Sequence, residues 1–504
     1  MEKYIEKILS ARVYDVADET PLDLATNISR RIGNRVLLKR EDKQQVFSFK
    51  IRGAYNCIYQ MHQKDPNISG VICASAGNHA QGVALGASML GIKSIIVMPR
   101  TTPAIKIEAV KNFGGKVMQV GDTFDEALEF ALQQAEERGY VFVPPFDHPD
   151  VIAGQGTVGM EICRQHPDPI HTIFVPIGGG GLAAGIAAFV KYLRPDVQVV
   201  GVEAEDSASM QLSLKKGRRT DFGEVGIFAD GVAVRIPGKE TFRLCRRLLD
   251  DVITCTVDEM CAAIRDIYDD TRTLVEPSGA LALAGLKKYV AQKNLTGASL
   301  IAITSGANVN FDRLRHVAER AEVGEQREAL MAVTLEEQPG AFRKFCQTLG
   351  RRAVTEFNYR YSESTGAVVF VGVRLSNGNV ERSEIINKLS DAGYLVTDLT
   401  DDETAKLHVR YMIGGRVPSL EDEILIRFQF PERPGALSTF LNKLARGWNI
   451  SLFHYRNHGA AYGRILCGIQ VSQQDRTEFN EFLNELGYSY SVETDNAAYK
   501  TFLR

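Results

Sequence analysis

The sequence predicts a large α/β region of mostly parallel sheet, followed by two smaller α+β modules. Three observations carry this. Up to about residue 320, short β-rich runs alternate with helical runs, the pattern of βαβ units. Each β-rich run ends in a small or turn-forming residue and passes into a helix within a few positions. Past residue 329 the alternation stops, and a strand–turn–helix–strand unit occurs twice.

The elements follow in order. "GVICAS" (70–75) leads into "AGNHAQGVALGASMLG", and "SIIVMP" (94–99) into "TPAIKIEAVKNFGG". "TIFVPIGGGG" (172–181) leads into "LAAGIAAFVKYLRP"; "VQVVGVEAE" (197–205) precedes another helix, and "LIAITSGAN" (300–308) ends the series. In parallel sheets ligands bind beyond the carboxyl ends of strands, where all these turns lie. The repeat pairs "LMAVTLEEQPGAFRKFCQTLG" (330–350) with "LIRFQFPERPGALSTFLNKLA" (425–445), and "TEFNYRY" (355–361) with "SLFHYRN" (451–457), offset by 95 to 96 residues. The expected boundaries are 1–320 for the α/β domain and 329–400 and 424–494 for the modules, with 401–423 connecting them.

A chain of 504 residues is long enough for roughly three domains. With 44% apolar and 24% charged residues it reads as a soluble globular protein. A net charge of −3 without a long basic run argues against nucleic-acid or membrane-surface partners. The N-terminus is charged and lacks an apolar signal core, and no run is long enough to span a membrane. The eight cysteines are scattered with no C-x-x-C, as expected in a reducing cytoplasm. The nine histidines show no metal-ligand spacing, so no metal is expected.

Four features carry chemistry. In "VFSFKIRGA" (46–54), Lys50 sits between apolar neighbours. It either snorkels to water or is a lysine of lowered pKa that works as an amine nucleophile. "PIGGGGLAAG" (176–185) places Gly178, Gly179, Gly180 and Gly181 between a strand and a helix, where backbone N–H groups converge on an anion. One glycine would suffice for a tight turn. No Gly-Lys-Ser/Thr follows, so this is not a Walker loop, and it fits G-x-G-x-x-G poorly. In "SAGNHAQG" (75–82), Ser75 and Asn78 either cap a helix or, with the N–H groups of the turn, hold a carboxylate; His79 reads as structural. In "TSGAN" (304–308), Ser305 ends a strand above the same crevice. A phosphate-bearing cofactor that forms an imine with a lysine accounts for all four, which points to pyridoxal phosphate. In "GVEAEDS" (201–207), Glu203 and Asp206 read equally as a strand end that helps bind a cation or as a solvated turn, and no metal is assigned to them.

The motifs "SFKIRGA", "SAGNHAQG", "GGGGLAAG", "EPSGALALAG" and "SGANVNF" resemble the β-family, or fold type II, pyridoxal-phosphate enzymes, the tryptophan synthase β-like fold. Within them the chain resembles the threonine dehydratases that carry paired ACT-like regulatory domains, over nearly its whole length. The resemblance implies that Lys50 forms the imine with the cofactor. It implies that Gly178, Gly179, Gly180, Gly181 and Leu182 hold the phosphate, that Asn78 faces the ring hydroxyl, and that Ser305 faces the ring nitrogen. Ser75, Gly77 and Asn78 are expected at the substrate carboxylate. Tyr359 and Tyr455, equivalent in the two modules, are expected at an effector site.

The implied reaction is L-threonine to 2-oxobutanoate and ammonia, the first committed step towards isoleucine. Isoleucine is the expected inhibitor and valine its antagonist, in a cytoplasmic homotetramer. Within the same chemistry, a serine dehydratase or a β-replacing synthase is the alternative, since one methyl changes discrimination by only ~1–3 kcal/mol. From other classes, an amino-acid-sensing protein with a dead catalytic region is opposed by the presence of Lys50. A nucleotide-binding α/β protein is opposed by the lack of a Walker lysine and of a ribose-binding acid.

Overall fold

The computed structural model describes residues 2–335, 345, 348–349, 354–360, 367–411, 422–431, 448–456 and 462–503. The chain divides into two compact units, Met1–Ala321 and Glu322–Arg504.

The first unit contains two sheets rather than one. The larger holds β1 (Leu22–Leu24), β2 (Arg35–Arg40), β7 (Thr172–Pro176), β8 (Gln198–Ala204), β9 (Asp251–Cys255) and β10 (Ser299–Thr304), in the order β1-β2-β10-β7-β8-β9. Only β1 runs antiparallel to its neighbour. The smaller holds β3 (Val71–Ala74), β4 (Ser94–Met98), β5 (Lys116–Gln119) and β6 (Val141–Phe142), all parallel, in the order β5-β4-β3-β6. The runs "GVICAS" and "TIFVPIGGGG" therefore end in different sheets, and the last strand, β10, lies in the middle of the larger one.

Strand residues alternate between two apolar layers, as a sheet covered on both faces requires. Ile301 and Ile303 of β10 join one cluster with Val175 and Ile186, beneath the helices Pro149–Gln165 and Gly181–Leu193. Leu300 and Ala302 join the opposite cluster with Ile264 and Leu283, beneath Val257–Thr271 and Pro277–Lys293. The small sheet repeats this, with Cys73 and Ile96 on one face and Ile72 and Val97 on the other. Helix starts are specified locally. Thr123 with Glu126, and Thr256 with Glu259, form reciprocal capping boxes. Pro149 and Pro277 stand in the first turn of their helices, where the missing N–H is no loss.

The second unit shows the repeat as two antiparallel sheets. The first joins β11 (Glu328–Leu335), β12 (Val354–Arg360), β13 (Ala367–Arg374) and β14 (Leu395–Asp398) in the order β12-β13-β11-β14. The second joins β15 (Glu423–Pro431), β16 (Asn449–Arg456), β17 (Tyr462–Gln470) and β18 (Ser489–Val492) in the equivalent order, β16-β17-β15-β18. Tyr359 pairs with Val369 and Tyr455 with Ile465, so the repeat extends to the strand register. A common apolar cluster, including Leu330, Phe370, Leu425, Leu466 and Phe502, joins the two modules. Ala405 and Val409, from the connecting segment, are part of it.

Candidate active site

The path to Lys50 is pinned to the end of β10. Phe47 adopts a left-handed φ of 54°, and its carbonyl accepts the Ala307 N–H at 2.8 Å. Ser48 bridges Gly306, and the Phe49 N–H donates to the Ser305 carbonyl at 3.2 Å. The helix Lys50–Lys64 then begins without a side-chain cap. Lys50 is half-buried, and its Nζ donates to the Pro145 carbonyl at 2.9 Å. It also lies 5.4 Å from the centroid of the Phe49 ring. Burial disfavours the ammonium and pushes its pKa down to about 8, against the opposing charge of Glu276.

Two residues on, Arg52 is fully buried and anchors this helix. Its guanidinium donates to Glu41 Oε2 at 2.7 Å and to Glu161 Oε1 at 2.5 Å, while Lys39 pairs with Glu161 Oε2 at 2.6 Å. Four charges are satisfied inside the protein, so the first turn of the helix has little freedom to shift.

The glycine loop follows β7. Gly180 has φ +94°, a conformation that favours glycine, and the helix Gly181–Leu193 starts there. A Cβ on Gly179 would stand 2.3 Å from the Phe146 ring, so only glycine fits that approach. Gly179 and Gly180 are buried. Among the described residues, the N–H groups of Gly178, Gly179 and Gly180 have no hydrogen-bond partner. Buried backbone donors are seldom left unpaired, and donors at a helix start are suited to an anion. Leu182 lies in the first turn of that helix and is buried.

From the small sheet, β3 delivers Ser75, Gly77 and Asn78 at the start of the helix Asn78–Met89. The expected side-chain cap is not formed. Ser75 Oγ instead accepts the Gly77 N–H at 3.3 Å, and Asn78 turns away from its helix. Asn78 Nδ2 donates to Glu276 Oε1 at 2.7 Å, and its Oδ1 accepts Asn308 Nδ2 at 2.7 Å. Both ends of the amide are thereby fixed. Ser278 Oγ donates to the same Glu276 oxygen at 2.7 Å. Ser305 is 3% exposed and donates to the Ser278 carbonyl at 3.1 Å. His79 is buried with Nε2 3.0 Å from the Val143 carbonyl, and burial pushes its pKa down to about 3, so it is a neutral structural ring.

Contacts tie these groups together from both sheets. A Cβ on Gly306 would stand 2.7 Å from Glu276 and 3.2 Å from Asn78 Nδ2, so the segment that pins Lys50 also backs the Asn78–Glu276 pair. Pro145 holds Lys50, and the adjacent Phe146 covers the glycine loop. Sequence reasoning missed Glu276, although it lies inside the quoted "EPSGALALAG". A carboxylate before a proline-started helix reads as a cap, yet this one makes no capping bond. Its pKa is raised, first by burial and then by Asp230. For Glu203, one of the two sequence readings falls. It is not in a solvated turn: it is fully buried at the end of β8 and accepts the Met210 and Gln211 N–H groups, each at 2.8 Å. Burial pushes its pKa up to about 8. The side chains of Tyr359 and Tyr455, and the turns Pro339–Gly340 and Pro434–Gly435, lie outside the described residues.

The family models and the curated relatives agree over nearly the whole chain. Residues 13–306 match the family model described as pyridoxal-phosphate dependent enzyme. Residues 319–409 and 414–503 match that of the C-terminal regulatory domain of threonine dehydratase. The biosynthetic L-threonine dehydratase IlvA of Burkholderia multivorans is 56% identical over 503 residues, covering 99% of each chain. Its counterpart in Escherichia coli is 53% identical, covering 99% of this chain and 97% of that one. Among solved structures, the processed form of threonine deaminase isoform 2 from Solanum lycopersicum is 49% identical with a TM-score of 0.62, covering 64% of this chain and 93% of that one. Maize serine racemase is 33% identical with a TM-score of 0.58, covering 62% and 96%.

The site's own chemistry fits the cofactor these names imply. A primary amine of lowered pKa, unpaired buried N–H donors at a helix start, and neutral polar groups between them suit an aldehyde, a phosphate and a ring. The chain belongs to the pyridoxal-phosphate-dependent threonine dehydratase family, with the paired C-terminal regulatory domains of its biosynthetic members.

Proposed function

We propose that the chain converts L-threonine to 2-oxobutanoate and ammonia, opening the route to isoleucine. The observation that carries this is Lys50: a lysine of near-neutral pKa, held by Pro145 and facing Glu276 in a crevice with an anion-binding loop. Full-length relatives that bear the biosynthetic threonine dehydratase name support the substrate.

When bound, pyridoxal phosphate supplies the electron sink for the charge left at the substrate Cα. The residues do the rest. Gly178–Leu182 hold the phosphate through backbone N–H groups. Asn78, fixed by Glu276 and Asn308, orients the ring through its hydroxyl. Ser305 would face the ring nitrogen as a neutral group, so it would not lock a proton there as a carboxylate would. The turn of Ser75, Gly77 and Asn78, at a helix start, would receive the substrate carboxylate. Lys50, neutral once its proton has left, removes the Cα proton; a base with pKa near the working pH is suited to that task.

The two repeated units, 329–400 and 424–494, serve as ACT-like modules that bind isoleucine, which inhibits, and valine, which opposes it. Tyr359 and Tyr455 are the proposed effector contacts. A homotetramer in the cytoplasm is the proposed working form. The test is product release by the purified full-length chain from threonine and from serine. 2-Oxobutanoate formed faster than pyruvate at equal substrate supports the assignment; the reverse order makes it a serine dehydratase.

A further inference from the structure

The four N–H donors of the glycine loop need their peptide planes aimed, and glycine alone does not aim them. Side chains outside the loop do: Cys245 Sγ lies 3.9 Å from the Gly180 carbonyl, and Thr241 holds the Gly179 carbonyl. Thr241 is fully buried in the first turn of the helix Lys239–Leu248. Its Oγ1 donates to the Gly179 carbonyl at 2.6 Å. The Gly238 N–H reaches the same carbonyl at 3.4 Å. In a planar trans peptide the C=O and the following N–H point in opposite directions. Drawing the Gly179 carbonyl towards Thr241 therefore turns the Gly180 N–H away from that helix. At Gly180, φ +94° leaves a peptide plane that a glycine could otherwise flip at little cost.

Thr241 is itself held by the segment that touches Lys50. Asp147 accepts the Lys239 N–H at 2.7 Å, the Glu240 N–H at 2.9 Å and the Thr241 N–H at 3.2 Å. It follows Phe146, whose ring closes the other side of Gly179, and Pro145, which accepts from Lys50 Nζ. Residues 145–147 thus fix the lysine, the outer wall of the loop and the helix that pulls the loop's carbonyl.

We propose that Thr241 is a positioning residue for phosphate recognition, orienting the Gly180 N–H through the Gly179 carbonyl. This rests on the reading that residues 178–182 hold the cofactor phosphate. The test uses the full-length chain stripped of cofactor, titrated with pyridoxal phosphate and with pyridoxal, which lacks the phosphate, and followed by absorbance. Thr241→Val is expected to weaken pyridoxal phosphate about tenfold, the effect of one lost hydrogen bond to a buried group, and to leave pyridoxal within twofold of the parent. Thr241→Ser, which keeps the hydroxyl, retains the parent's preference. Equal weakening of both aldehydes, or no change in either, overturns the proposal. Thr241→Ala removes the same hydroxyl with less bulk and gives the same reading if the valine variant does not fold. Gly180→Asp separates the two claims. A carboxylate in the loop should abolish the preference for the phosphate-bearing aldehyde. If the preference survives, the phosphate is held elsewhere, and the reading of residues 178–182 falls together with the role of Thr241.

Discussion

Lys50 Nζ, at the start of the helix Lys50–Lys64, donates to the carbonyl of Pro145, shortly after β6, at 2.9 Å. A carbonyl accepts from an ammonium or a neutral amine alike, so the contact aims the amine without fixing its charge. The charge is set by burial, which lowers the pKa to about 8, and by Glu276, which raises it.

The first prediction follows from those two signs. Only the neutral amine attacks an aldehyde, and its fraction rises with pH through the pKa. An ordinary lysine, with pKa near ~10.4, would still be almost wholly charged at pH 8. Capture of pyridoxal by the cofactor-free chain should therefore increase with a midpoint near pH 8. Glu276→Gln removes the charge that favours the ammonium, so the midpoint should move lower. Capture rates measured across pH, with the variant beside the parent, check both shifts.

Glu276 also holds Asn78 and Ser278 with one oxygen. Glu276→Ala leaves two donors, half-buried Asn78 and buried Ser278, without that partner, and the loss at a buried donor costs ~1–3 kcal/mol. Turnover of threonine should fall at least tenfold while the cofactor absorbance band remains. Steady-state kinetics with an absorbance spectrum of the same sample is the measurement.

The cluster of Lys39, Glu41, Arg52 and Glu161 is a matter of stability. Removing one partner of a buried ion pair typically costs about 3–5 kcal/mol, because the remaining charge stays inside. Glu161 accepts from both Arg52 and Lys39, so Glu161→Ala should lie at the upper end of that range. Urea unfolding followed by circular dichroism reports it. A surface control such as Glu108→Ala, whose partner Lys111 is exposed, should change stability by less than ~1 kcal/mol.

Ser305→Ala should slow elimination and leave the lysine's capture of cofactor in place. The hydroxyl is buried, and its loss also frees the Ser278 carbonyl. Single-turnover rates beside cofactor affinity separate the two effects; unchanged values for both would make Ser305 a structural residue only.

A chain ending near residue 325, after the first compact unit, should keep threonine turnover and lose inhibition by isoleucine. Coupling between sites is commonly ~1–3 kcal/mol, or 5- to 150-fold in affinity. Rates over a grid of threonine and isoleucine concentrations measure it. A truncated enzyme that stays equally sensitive would place the effector site in residues 1–321.

Much of this was legible before the fold was known, because local chemistry carries it. Four consecutive glycines between a strand and a helix, and a lysine among apolar neighbours, are signals written in a few adjacent residues. The repeat was legible for the same reason, and its 96-residue spacing reappears between the pairs Tyr359–Val369 and Tyr455–Ile465. Long-range pairing was not. Nothing near β3 or β10 says that they belong to separate sheets, because a parallel strand's neighbour is chosen by the whole chain. Pro145 escaped notice because it acts through a carbonyl, which every residue has. A solvated turn stood as one reading of Glu203 because further carboxylates close by in "EAED" suit a turn. The burial that reverses that reading comes from β9 and from the helix Ser209–Lys216.

Trapping the imine shows which lysine carries the cofactor. Full-length holoenzyme is reduced with borohydride, digested, and its peptides sequenced by mass spectrometry. The visible absorbance band should disappear, and a phosphopyridoxyl group should be found on Lys50. A modified lysine elsewhere, or no modified lysine in a chain that still turns over threonine, would contradict it.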